Sequence, residues 1–111
     1  MRKTLSDSEM TPGAQSAIVN FHPTAVEEVI KALKDNEWVI VGMAQNPHVK
    51  KARHFLEAKN IKYRYIQHGG YFSQWKIRLA IKLWSGWPTF PQVFHKGKLV
   101  GGASDLSKYL P

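Results

Sequence analysis

Residues 38–42 read WVIVG, an unbroken apolar and β-branched run that follows a helix stop and precedes a turn. A run this short, bounded in this way, predicts a buried β-strand rather than a helix. The chain continues with MAQNPHVKKARHFL. Asn46 is placed to cap a helix, with Pro47 at the first helical position, where the missing amide costs nothing. Val49, Ala52 and Leu56 then give that helix its inner face. A strand feeding a helix through a tight turn is where α/β proteins concentrate chemistry, yet Asn46 is no nucleophile.

Similar patterning extends to both sides. Thr24 and Glu27 have capping-box spacing, and Val26, Val29, Ile30 and Leu33 predict a helix that ends at KDN, 34–36. KN at 59–60 ends the helix after Asn46, and IKYRYI, 61–66, alternates as a second strand. QHGGYF is expected as a loop. Ser73 is read as the cap of a third helix, with Ile77, Ala80, Ile81 and Trp84 as its stripe and Gly86 as its stop. QVFHKGKLVGG predicts two strands around a turn at Lys96–Gly97, and Ser104 is read as the cap of a last helix through Leu110. Residues 1–20 are polar and are expected to form a flexible tail, leaving one domain over 21–111. A helix between the first two strands implies a parallel crossover, and the last two strands an antiparallel hairpin. The architecture that results is a small mixed α/β sheet with helices on both faces.

The chain has 111 residues and no cysteine. Disulfides, thiolate catalysis and cysteine-ligated metal or iron–sulfur sites are thereby excluded in this chain. The five histidines show neither HxxH nor HExxH spacing, so no metal is expected. The formal charge of +8 favours anionic partners in general. No apolar run has the length of a membrane span, and MRKTLSDSEM has no secretory apolar stretch, so the expected setting is cytoplasmic, without membrane association. Trp75, Trp84 and Trp87 interleave with Lys76, Arg78 and Lys82. That pattern is compatible with nucleic acid, but a protein-binding surface is the expected reading, since exposed Trp and Arg are common interface anchors.

The stretch IRLAIKLWSGWPTFPQVFHKGKLVGGASDL, 77–106, resembles the second half of a glutaredoxin. TFPQVF stands where the family has T-x-P-Q-[VL]-[FWY], and GGAS where it has G-G-C-D. IR…K…SGWP is closer to the monothiol, CGFS-type branch. The resemblance implies a thioredoxin-like, glutaredoxin-type fold, a four-stranded mixed sheet flanked by helices with an extra N-terminal helix. Aligning NPHVKKARHFL with the family's CPYCKKAKELL puts Asn46 at the nucleophilic cysteine. Val49 and Ala103 fall at the other cysteine positions, and the family's lysine before the motif is absent.

The resemblance further implies a glutathione groove. Phe90 would pair with the ligand backbone beside Pro91, whose peptide bond is expected to be cis. Gly102, Ser104 and Asp105 would meet the γ-glutamyl carboxylate, and Arg78 the glycine carboxylate. Free amides at 46–49, with Asn46 and His48 and with Lys50 and Lys51 close by, would face an anion at the helix N-terminus. The function expected is a binding or accessory module without thiol redox activity, with glutathione or a γ-glutamyl peptide as ligand and no iron–sulfur cluster. Two other readings stay open. One is a glutathione-linked enzyme with a thiol-independent mechanism using His48 as acid or base. The other is a basic adaptor for an acidic protein or nucleic acid.

Overall fold

A computed structural model describes residues 5–70 and 73–111. Tyr71 and Phe72 of the expected QHGGYF loop, and residues 1–4 of the expected tail, lie outside the described residues. A short 3-10 turn, Asp7–Glu9, comes first. Then come α1 (Pro12–Val19), α2 (Pro23–Asp35), β1 (Trp38–Gly42), α3 (Pro47–Ala58), β2 (Arg64–Gln67), α4 (Trp75–Ser85), β3 (Gln92–His95), β4 (Lys98–Gly101) and α5 (Ala103–Tyr109). The strands form one mixed sheet in the order β2-β1-β3-β4. β1 runs parallel to β2 and antiparallel to β3, and β3–β4 is the antiparallel hairpin.

β1 is the hub because both its faces are covered. All five of its residues are buried. Val39 and Val41 pack with Val29 and Ala32 of α2 and Ile81 of α4. Trp38 and Ile40 pack with Ala52 and Leu56 of α3 and Leu106 of α5. The unbroken apolar run is thus the signature of a strand sandwiched between two helical layers. On the α3 side, the Arg53 guanidinium lies 3.9 Å over the Tyr65 ring, and its Nε–H donates to the Tyr63 hydroxyl at 3.0 Å. Tyr63 donates onward to Glu57. Burial pushes both phenols above their ordinary pKa.

Several local expectations need correction. The stretch expected as a flexible tail contains α1, capped by Thr11 Oγ1 on Ala14 N–H at 3.2 Å, although α1 buries no residue. α2 begins at Pro23, so Thr24 lies inside the helix and does not cap it. The fixed φ of proline suits the first helical position and sets the start one residue early. Ser73 does not cap α4; its hydroxyl accepts from Gly70 N–H at 3.1 Å, and Gln74 enters the helix from the left-handed region at φ 57°. Ser104 sits inside α5, whose cap position is Gly102; the Asp105 carboxylate accepts the Gly102 amide at 2.9 Å. The second strand begins at Arg64, later than the alternation from Ile61 suggests.

Other expectations hold. Asn46 caps α3, and Gly86 ends α4 at φ 77° with its amide on Lys82 O. Lys96 and Gly97, at φ 51° and 78°, make the hairpin turn. The Phe90–Pro91 bond is cis.

Candidate functional site

The C-terminal end of β1 opens into the turn Met43–Gln45. The Ala44 amide donates to Gly69 O at 2.6 Å, tying this turn to the loop after β2. α3 then starts beside it, and the cis Phe90–Pro91 bond and the start of α5 lie next to that start. Between them lies an open groove of about 690 Å³. Asn46, His48, Arg78, Phe90, Pro91, Gly102, Ser104 and Asp105 all line it. They come from four separate segments of the chain and are brought together by the topology of the sheet.

At the α3 terminus the structure changes the expectation. Asn46 Oδ1 accepts the amides of both His48, at 2.9 Å, and Val49, at 3.2 Å. Those N–H groups were expected to stand free for an anion. The side chain that caps the helix fills them, since a carboxamide oxygen is a better acceptor at this distance than a thiol. Asn46 itself is 8 % exposed, so it is a wall of the groove rather than a projecting group. Val49 is buried in the core, and Ala103 opens α5. His48 is exposed on the first turn and faces the groove.

Arg78 also plays a different part from the one expected. It is buried, and its Nη1 donates to two backbone carbonyls, His68 O at 3.0 Å and Ser73 O. It therefore staples the loop between β2 and α4 while its guanidinium contributes positive charge to the groove. Two further cations share this wall, Lys51 of α3, expected near the helix N-terminus, and Lys82 of α4, which the sequence reading did not assign to the site; Lys50, also expected there, is not among the lining residues. Lys82 lies one helical turn beyond Arg78, a spacing that puts both on one side of α4 and could have flagged it. The Lys82 ammonium is 5.6 Å from the centre of the Phe90 ring. The groove thus gathers three cations against one carboxylate, Asp105, which is already engaged by the Gly102 amide.

Phe90 and Pro91 are buried, yet Phe90 makes no backbone hydrogen bond within the chain among the described residues. Backbone groups left free in this way can pair with the backbone of a peptide ligand. Among the described residues, no cluster of three or more His, Asp or Glu is placed to hold a metal, and no helix is long and apolar enough to cross a membrane.

Residues 39–100 match the family profile described as Glutaredoxin. The chain is 41% identical over 103 residues to a glutaredoxin-like protein of Dictyostelium discoideum, spanning 93% of this chain and 84% of that one. It is 30% identical over 105 residues to monothiol glutaredoxin-S17 of Arabidopsis thaliana, covering 92% of this chain but only 20% of that much longer protein. In structure it resembles a buckwheat glutaredoxin solved as a glutathione complex, with a TM-score of 0.65 at 19% identity over 78% of each chain. That likeness speaks to the fold.

Proposed function

The chain belongs to the glutaredoxin family, and from that premise we propose that it is a binding or accessory module without thiol redox activity, whose groove holds glutathione or a related γ-glutamyl peptide. The observation that carries this reading is the groove itself. Eight positions implied by the family resemblance line one cavity together with Lys51 and Lys82. The chemistry suits a small peptide with two carboxylates and an extended backbone. The unpaired backbone of Phe90 offers a strand-like contact for the ligand's central residue. Lys51 and Lys82 supply the charge for one carboxylate, with Arg78 behind them. The hydroxyl of Ser104, at the opposite end beside Gly102 and Asp105, offers a contact for the γ-glutamyl group.

The same geometry argues against redox turnover by this chain. Thiol–disulfide exchange needs a thiolate to attack one sulfur while another leaves. No cysteine exists anywhere in the chain. Asn46 has no ionisable proton to lose in the working pH range, and its oxygen is committed to two amides. A ligand bound against Asn46 would be held without being exchanged.

The test is a titration of reduced glutathione into isotopically labelled protein, followed by NMR. The expected result is a set of localised amide shifts at Asn46–Lys50, Phe90 and Gly102–Asp105, saturating in the low millimolar range. An unchanged spectrum at physiological glutathione would overturn the reading.

A further inference from the structure

Beside the ligand groove, α4 carries a second surface that shares only Lys82 with it. Its inner stripe is Ile77, Ala80, Ile81 and Trp84. On its other side Trp75, Leu79 and Leu83 recur at every fourth residue, which places them on one ridge, with Trp75 and Leu83 exposed and Leu79 half-buried. Trp75 is 58% and Leu83 54% exposed. Beside the ridge, the end of α1, the start of α2 and α4 enclose a largely apolar groove of about 370 Å³ lined by Ile18, Val19, Phe21, Val26, Leu83 and Trp84. Ile18 and Val19 are 50% and 72% exposed. A ridge and an adjoining groove, both apolar and both open, form an unpartnered surface larger than scattered exposed side chains would give.

Charge gives the partner its character. Lys76 is exposed beside the ridge, its ammonium 5.6 Å from the Trp75 ring, and the half-buried Lys82 stands at the border with the ligand groove. No Asp or Glu occurs between Glu57 and Asp105, a stretch that holds eight Lys and Arg residues. The groove itself is lined by one charged residue, Glu27 of α2, so the basic character belongs to the α4 side of the surface. We propose that the α1–α4 face binds an acidic amphipathic helix of a partner protein. Its apolar stripe would fill the groove beside Leu83, and its carboxylates would face Lys76 and Lys82. Anchors spaced at i, i+3, i+4 and i+7 are how such a helix occupies a hydrophobic groove. The concavity favours a helix over a bilayer, because a flat lipid surface would leave the groove unfilled. Since Lys82 also lines the ligand groove, the partner would sit on that groove's rim.

The probe is a synthetic peptide of roughly 18 residues, about five helical turns, with Leu at the four anchor spacings and Glu elsewhere. It is titrated into labelled full-length protein and followed by NMR. The expected shifts fall on Ile18, Val19, Trp75, Leu79 and Leu83. Leu83→Ser should weaken binding about tenfold, as loss of a central apolar anchor does. Lys76→Glu should weaken it too, and the wild-type affinity should fall with salt. Both sites are exposed, so unchanged amide spectra elsewhere establish that the variants fold. Three results would overturn the proposal: no shifts at millimolar peptide, equal binding of a peptide with Lys in place of Glu, or shifts at these residues with phosphatidylserine-containing vesicles but not with the peptide.

Discussion

The side-chain oxygen of Asn46 accepts the backbone amide of Val49 at 3.2 Å, at the very start of α3. It accepts the amide of His48 as well. The residue at the family's nucleophile position is therefore a working helix cap. Asn46→Ala removes the acceptor and strands two first-turn amides. The expected cost is about 1 kcal/mol of unfolding free energy, the usual loss for an Asn cap, read as a lower denaturation midpoint with unchanged slope. An unaltered midpoint would mean that the cap contributes nothing and that Asn46 serves the groove alone.

Asn46→Cys tests whether the surroundings still suit a thiolate. A sulfur here would face the N-terminal end of α3, where the partial positive charge of the helix favours an anion, and Lys51 lines the same groove. The expected thiol titrates below the ordinary value of about 8.5, measured from the pH dependence of alkylation by iodoacetamide. A thiol that titrates at its ordinary value would show that the electrostatic setting was lost along with the cysteine.

The large elements were legible because their signals are local and redundant. WVIVG, Asn46-Pro47 and Lys96–Gly97 each state a backbone requirement in adjacent residues. The caps were misread at Thr24, Ser73 and Ser104 for one reason. A hydroxyl residue near a helix start satisfies a local rule, but the true boundary depends on Pro23, on the left-handed Gln74, and on Asp105 reaching back to Gly102. The groove was legible where the family resemblance carried it. Lys51 was legible as a neighbour of the α3 N-terminus, but Lys82 was not, because it lies on α4 and reaches the groove only through the folding of the sheet. The occupied amides at 48 and 49 also escaped, although the Asn46 cap that fills them had been predicted.

Gly42 ends β1 under the Val49 side chain of α3. A Cβ built there would lie 2.7 Å from Val49 Cγ1 and 3.1 Å from Tyr65 Cε1. Val49 is 2% exposed and cannot swing away. Gly42→Ala should cost about 1–3 kcal/mol, as overpacking of a tight core does. It should also shift the amides of Asn46–Lys50, because relief of the clash pushes the start of α3 off the sheet. A neutral stability change would mean that α3 moves freely, and the groove with it.

At the far end of the sheet, His95 Nε2 lies 2.9 Å from Glu37 Oε2 and its Nδ1 lies 2.7 Å from the Tyr109 hydroxyl, while its ring stacks on Trp38 at 4.0 Å. The hydrogen bond with His95 holds the Glu37 carboxyl below its usual pKa. A lowered carboxylate pKa adds stability that is present above the unfolded value of about 4.3 and is lost as the pH falls through the folded value. Glu37→Gln should therefore be less stable than wild type at neutral pH, and the gap should close on acidification below about pH 4. Denaturant melts at a series of pH values measure it. A gap that stays constant down to pH 2 would assign the loss to packing around His95 and Tyr109 rather than to the ionised carboxylate.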